Sequence, residues 1–338
     1  KMRPETLKKT LKALIASGRN VYIEGSPGVG KTQVVQQAIR EMGPTYHMVF
    51  KHGPTMQPED IALPRTDGGR LDFALAKWLP MVGDYEEGHH VVVVIDEMAQ
   101  ADAAVQKTLA NLMQEREAYG APLHSPLSFV ATGNKATHRA GANRILSHLS
   151  NRMVWVKLEV ALDDWCRHAQ DNGVRPEIVA FLRFRPDLLN DFDPSRDNNP
   201  TPRMWVENVQ PIVQDVEAGA IPAEAEFECY EGCVGEAAAA QFTSFMRMFR
   251  KLPDVDAVLK KPDTYPVPDE PSVRYALAAA LAHRANKDNF QKVVTFARRL
   301  PPEFTVFTLL DSIRRDPSLQ NTQAFTDWAV SDGAKVLL

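Results

Sequence analysis

The 338-residue chain is poor in cysteine, in net charge and in long apolar runs. Its three cysteines, Cys166, Cys229 and Cys233, make neither a disulfide framework nor a zinc pattern. Cys229 and Cys233 stand four apart in an expected helix with no histidine or second cysteine pair beside them, which fits ordinary packing. A formal net charge of −4 offers little to nucleic acid or to an anionic membrane. No stretch approaches the ~20 apolar residues of a spanning helix, so no membrane insertion is expected. The opening KMRPETLKK has no signal-peptide core, and Lys1 ahead of Met2 suggests that residue 1 is not the natural start. The expected location is cytoplasmic. Repeats are absent too. What remains, 24% charged and 44% apolar residues, is ordinary globular composition for two or three domains.

The order of elements is informative. Residues 3–17 place Leu7, Leu11, Leu14 and Ile15 on one helical face ended by Gly18. NVYIE (Asn20–Glu24) reads as a strand, VVQQAIREM (Val34–Met42) as a helix and YHMVF (Tyr46–Phe50) as the next strand, a parallel βαβ unit. Prolines 54, 58, 64 and 80 then exclude a long regular element, and Gly68-Gly69 points to an inserted hairpin within about 51–80. A second hairpin is expected around EAYGAPLHSP (Glu117–Pro126). Strands return at VVVVI (Val91–Ile95), LSFVAT (Leu127–Thr132) and MVWVKLE (Met153–Glu159), with a helix from about Asp102 to Arg116 between the first two. Beyond them the pattern turns helical, with helices begun by Pro176 and Pro202. Five prolines between 253 and 271 suggest a connector, followed by three or four short helices. The expected division is therefore an α/β core over 1–158, a helical part over 159–250, and a proline-rich connector with a helical region over 251–338.

GSPGVGKT (Gly25, Ser26, Pro27, Gly28, Val29, Gly30, Lys31 and Thr32) matches the phosphate-binding pattern G-x-x-x-x-G-K-[ST] between a strand and a helix. The glycines let successive backbone N–H groups curl toward phosphate oxygens at the helix's positive end. Lys31 is placed to reach the β- and γ-phosphates of ATP, and the Thr32 hydroxyl to ligate Mg²⁺. Asp96 and Glu97 follow the apolar VVVVI run directly. Acids inside a sheet would be costly, so they are expected just past its carboxyl end, where ligand crevices lie. With the phosphate loop present, Asp96 is read as holding the Mg²⁺ shell and Glu97 as polarising the attacking water. Asn134, in ATGN after the next strand, is read as a polar group beside Glu97 and the γ-phosphate. His89, His90, His124 and His138 show no ligand spacing and read as surface or loop residues.

GSPGVGKT, VVVVIDE, SFVATGN, SNRM and TPRMW, in this order and at these spacings, resemble the AAA+ ATPases of the MoxR-like group. QPEDIALP, WLP, FLRFRPDLL and RLPPEF extend the resemblance over most of the chain. It implies an AAA+ P-loop core, a parallel sheet flanked by helices, then an all-α lid and a C-terminal helical extension. It also implies a ring, usually of six, with ATP between neighbours. The resemblance assigns Arg152, in SNRM, as the arginine finger on the neighbour's γ-phosphate, and Arg203, in TPR, as the second sensor arginine. Arg144 competes for the finger role. Lys135 stands where the group commonly has proline.

The function expected on these grounds is ATP hydrolysis by a ring that remodels or assembles protein clients. The group often works with a separate partner bearing a von Willebrand factor A domain. The alternative is a nucleic-acid motor or loader on the same core, against which the net charge and the lack of a basic arm weigh. Trp78, Phe73, Leu71 and Leu79 are too many large apolar residues for a solvated loop, so the insertion either packs on the core or projects toward the pore or a partner.

Overall fold

The computed structural model describes residues 1–134, 145–250 and 255–331. Lys135, His138 and Arg144, and Pro253 in the connector, lie outside the described residues. The chain clusters into two compact units, Lys1–Val160 with Phe192–Pro194, and Ala161–Asp191 with Ser195–Leu338.

The first unit runs α1 (Pro4–Ala16), β1 (Val21–Gly25), α2 (Lys31–Glu41), β2 (Tyr46–His52), β3 (Ala62–Asp67), β4 (Arg70–Leu75) and β5 (His90–Asp96). It continues with a 3₁₀ turn (Met98–Gln100), α3 (Ala103–Glu115), β6 (Glu117–Ala118), β7 (Ala121–Pro122), β8 (Leu127–Asn134), α4 (Ser147–Ser150) and β9 (Val154–Lys157). Five strands form one parallel sheet in the order β2-β5-β8-β1-β9. β1 therefore sits between the last two strands of the chain's run, and the loop that leaves it opens at the carboxyl edge where the strand order reverses.

The Val91–Ile95 run shows no polar alternation because both of its faces are covered. Val92 and Val94 pack with Leu11, Val35 and Ile39 from α1 and α2. Val91, Val93 and Ile95 pack with Leu109 and Leu112 from α3. A strand buried on both sides needs apolar residues at every position, which is the pattern of central parallel strands.

The two inserted hairpins are real. β3 and β4 pair antiparallel, Ala62 with Leu75 through Asp67 with Arg70, and β6 pairs with β7. The insertion's apolar residues divide. Leu79 is buried and Trp78 packs against the core beside it, whereas Leu71 is 72% exposed. Phe73 stacks on Tyr119 of the second hairpin at 4.1 Å.

Two histidines correct the surface reading. His90 lies in β5, buried, with its ring Nε2 3.0 Å from the Ser128 hydroxyl. His124 is buried as well, its Nε2 donating to the His89 carbonyl at 2.7 Å. Each has a hydrogen-bond partner for its Nε2 inside the fold, which lowers the cost of burial.

Among the described residues the second unit is entirely helical: α5 (Leu162–Asp171), α6 (Pro176–Phe184), α7 (Pro202–Met204), α8 (Gln210–Glu217), α9 (Glu226–Val234), α10 (Glu236–Arg250), α11 (Val255–Lys260), α12 (Pro271–Arg284), α13 (Phe290–Ala297), α14 (Pro302–Arg315) and α15 (Gln323–Ser331). A π-helical segment, Trp205–Val209, joins α7 to α8. Pro211 explains the widening: it has no N–H to give to the carbonyl four residues back, and its ring crowds that carbonyl. Phe181, Trp205, Tyr230 and Phe242 form an aromatic core with centroids 4.9–5.5 Å apart. The proline-rich connector holds one short helix. The six residues of α11 carry no proline, and Val258 and Leu259 are buried in a second cluster around Trp328, so that short piece coils.

Candidate functional site

Gly25 closes β1 and Lys31 opens α2, so GSPGVGKT spans a strand-to-helix turn. Gly30 caps α2 with φ +83°, a left-handed conformation that costs a side-chain-bearing residue about 1 kcal/mol or more. The Lys31 side chain folds back over the loop and is only 7% exposed. Its ammonium donates to the Ser26 carbonyl at 2.8 Å, to the Gly25 carbonyl at 3.2 Å and to the Asn134 Oδ1 at 2.9 Å.

The parallel register places the ends of three strands side by side. Gly25 pairs with Asn134, and Ile95 pairs with Ala131, so Asp96 comes beside the end of β8. The Thr32 hydroxyl, from the first turn of α2, donates to Asp96 Oδ1 at 2.6 Å. The Thr132 hydroxyl donates to the same oxygen at 2.6 Å. His52, at the end of β2, holds its Nδ1 3.8 Å from Asp96 Oδ2. Glu97 stands in the left-handed region, φ +51° and ψ +40°, at the start of the 3₁₀ turn. Its amide donates to the Thr132 hydroxyl at 3.0 Å, and its carboxylate accepts from Gln100 Nε2 at 2.5 Å.

Two hydrogen-bonded sets thus lie side by side, Lys31 with Asn134 and Thr32 with Asp96 and Thr132, with Glu97 next to Asp96 in the chain. Asn134 meets the lysine, and the Glu97 carboxylate accepts from Gln100. Arg152 follows α4; its carbonyl accepts from Asn20 Nδ2 at 3.2 Å, and its guanidinium donates to Gln114 Oε1 on α3. Arg203 belongs to the other unit, in α7, where the Thr201 hydroxyl caps the helix by accepting from the Met204 amide at 3.2 Å. Its side chain is 57% exposed, with Nε 3.8 Å from Glu207. A charge that far out beside one carboxylate gains little from it.

The donor set fits a magnesium nucleotide. A buried ammonium surrounded by oxygen acceptors can exchange them for phosphate oxygens. A hydroxyl and a carboxylate already 2.6 Å apart can share a hard, oxygen-seeking cation. Among the described residues no three His, Cys, Asp or Glu side chains group as a metal site. A cation held by Thr32 and Asp96 would therefore depend on nucleotide oxygens and water for its remaining ligands, the habit of Mg²⁺ rather than of zinc.

The sequence reading missed Thr132, His52 and Gln100 at the site and Gln114 beside Arg152. Thr132 had a readable signal, since it lies two residues before Asn134 on one strand and so shares its face. The glutamines had none.

Residues 20–153 match the family model of the AAA domain (dynein-related subfamily). A curated relative, Chaperone MoxR1 of Mycobacterium tuberculosis, is 32% identical over 139 residues. That stretch is 40% of this chain and 34% of the relative, so the chain spans about a third of that protein's length. Among solved structures, the Thermotoga maritima RuvB Holliday junction branch migration motor superposes with TM-score 0.38 at 15% identity, over 82% of this chain and 81% of that one. NtrX from Brucella abortus gives TM-score 0.34 at 16% identity, over 98% and 66%. Among the described residues no helix is long and apolar enough to cross a membrane. With the GSPGVGKT turn leaving the strand at the switch point of a five-stranded parallel sheet, and with residues 20–153 matching the AAA domain, the fold of this chain is that of an AAA+ P-loop core followed by a helical region.

Proposed function

We propose that the chain is a Mg²⁺-dependent ATPase of the MoxR-like kind, working as a ring of copies, six by analogy, on protein clients in the cytoplasm. The observation that supports this best is the pair of contacts, Lys31 with Asn134 and Thr32 with Asp96, made by neighbouring residues at the carboxyl edge of the sheet.

Lys31 trades its present oxygen partners for β- and γ-phosphate oxygens, helped by the loop amides at the start of α2. Thr32 and Asp96 hold the Mg²⁺, which when bound polarises the phosphoryl oxygens. Glu97 orients the attacking water and accepts its proton, and Asn134 steadies the γ-phosphate side of the pocket. Arg152 supplies positive charge to the site of a neighbouring copy, and Arg203 supplies it from the helical unit. The partial likeness to Chaperone MoxR1 supports protein remodelling as the work done. A separate protein with a von Willebrand factor A domain is the proposed partner.

The experiment is steady-state hydrolysis by the wild-type chain and by Glu97→Gln. Turnover that requires Mg²⁺, and its near-complete loss in a variant that still binds ATP, is the expected result. A wild-type chain without Mg²⁺-dependent turnover, alone or with its captured partner, defeats the reading. The same Glu97→Gln variant, locked with ATP, serves as bait for client and partner in extracts of the source cell.

A further inference from the structure

We infer that Thr132 is a positioning residue for hydrolysis, one hydroxyl that aligns Asp96 and Glu97 together; this rests on the ATPase reading above.

Thr132 is fully buried in β8, with Asp96 beside it across the β5 pairing. Its hydroxyl has one proton to give and lone pairs to receive with, and both capacities are used. The proton goes to Asp96 Oδ1 at 2.6 Å; a lone pair takes the Glu97 amide at 3.0 Å. Both partners are backbone neighbours, so the hydroxyl sets the carboxylate of the first acid and the main chain of the second.

Each acid needs the help for its own reason. Asp96 Oδ1 also accepts from Thr32 at 2.6 Å. A cation held there would take a lone pair of the Thr32 hydroxyl and draw on the Asp96 carboxylate, and the Thr132 bond would give that carboxylate a second anchor. Glu97 carries a left-handed backbone, φ +51°, which a glutamate does not adopt without support. Its amide bond to Thr132 is that support, made at the strained residue itself. The Gln100 contact restrains only the far end of its side chain. A valine at 132 would keep the shape and packing of threonine but leave the Glu97 amide unsatisfied and the Asp96 carboxylate free to turn.

The test compares Thr132→Val with Thr132→Ser in the full chain. kcat and KM are measured, together with calorimetric ATP affinity in Mg²⁺ and in chelator, and the melting temperature. For Thr132→Val the expected result is a kcat reduced roughly tenfold or more, the rate equivalent of one lost hydrogen bond, with KM for ATP within about twofold. The gain in ATP affinity that Mg²⁺ confers on the wild type should shrink in the same variant. Thr132→Ser, which keeps the hydroxyl, should recover both. A Thr132→Val chain with wild-type kcat and an undiminished Mg²⁺ gain overturns the positioning role and leaves the ATPase reading standing. So does a Thr132→Ser chain that fails as badly as Thr132→Val while both melt early, because packing then explains the loss. A wild-type chain with no Mg²⁺-dependent ATP binding overturns both.

Discussion

The Tyr22 hydroxyl lies where a β-carbon on Gly133 would be: an added Cβ would come within 1.7 Å of it and within 2.7 Å of the ring's Cζ. Tyr22 is fully buried in β1, its ring against Trp155 with centroids 4.2 Å apart, so it cannot swing away. Gly133→Ala should therefore destabilise the chain by about 1–3 kcal/mol, as overpacking does in a close-packed interior. Thermal unfolding measures it. Tyr22→Leu in the same chain should return part of the loss by making room, and an unchanged melting temperature for Gly133→Ala would show that β1 and β8 are not held as described.

Lys31→Ala removes the ammonium that ties the phosphate loop to Asn134. The folded chain should remain, judged by its far-UV dichroism, while calorimetry should show ATP affinity reduced by at least about 100-fold, a charge-assisted loss of ~2.7 kcal/mol. Near-normal affinity in a folded Lys31→Ala chain would contradict the assignment.

Arg152 distinguishes a finger that acts across copies from one that acts at home. An arginine finger is worth roughly 10³–10⁵ in rate in other nucleotidases, so Arg152→Ala should bind ATP nearly normally and hydrolyse it far more slowly. Mixed with a Glu97→Gln chain it should regain activity, because some interfaces then join an intact Glu97 to an intact Arg152. Mixtures shown by mass photometry to co-assemble, yet still inactive, would point to a structural role for Arg152, such as its contact with Gln114, and turn attention to Arg144.

Cys166 is buried in α5, and that burial pushes its thiol up to about 11. Thiolate is the reactive form, so at pH 8 Cys166 should resist iodoacetamide in the native chain and react after unfolding. Mass spectrometry of the modified peptides checks it, and rapid native labelling would mean that α5 opens readily.

The net charge of −4 makes a further expectation measurable. At ~150 mM salt no binding to single- or double-stranded DNA or RNA should be detected, and none should stimulate ATP turnover. Stimulation with a steep salt dependence would favour the motor alternative.

The strand-to-helix turn at GSPGVGKT was legible because its signal is local: eight consecutive residues with a strand before them and a helix after. The position of Asp96 and Glu97 at the carboxyl end of β5 was legible for a related reason, since acids are costly deep in a strand covered on both faces. The five parallel strands and both hairpins could be read from apolar runs, glycines and prolines. The partners that complete the site could not. Lys31 and Asn134 are 103 positions apart and meet only because the order β2-β5-β8-β1-β9 sets β8 beside β1. Periodicity shows that strands exist, but it does not show which strand lies next to which. The same limit hid the two bonds of Thr132, which arise from β8 lying against β5. It hid the burial of His90 and His124 too, because a histidine with a hydrogen-bond partner inside the fold looks in sequence like one in water. Local chemistry was written in neighbouring residues; the hydrogen bonds that join β1, β5 and β8 into one site were decided by strand order, which only the packed sheet reveals.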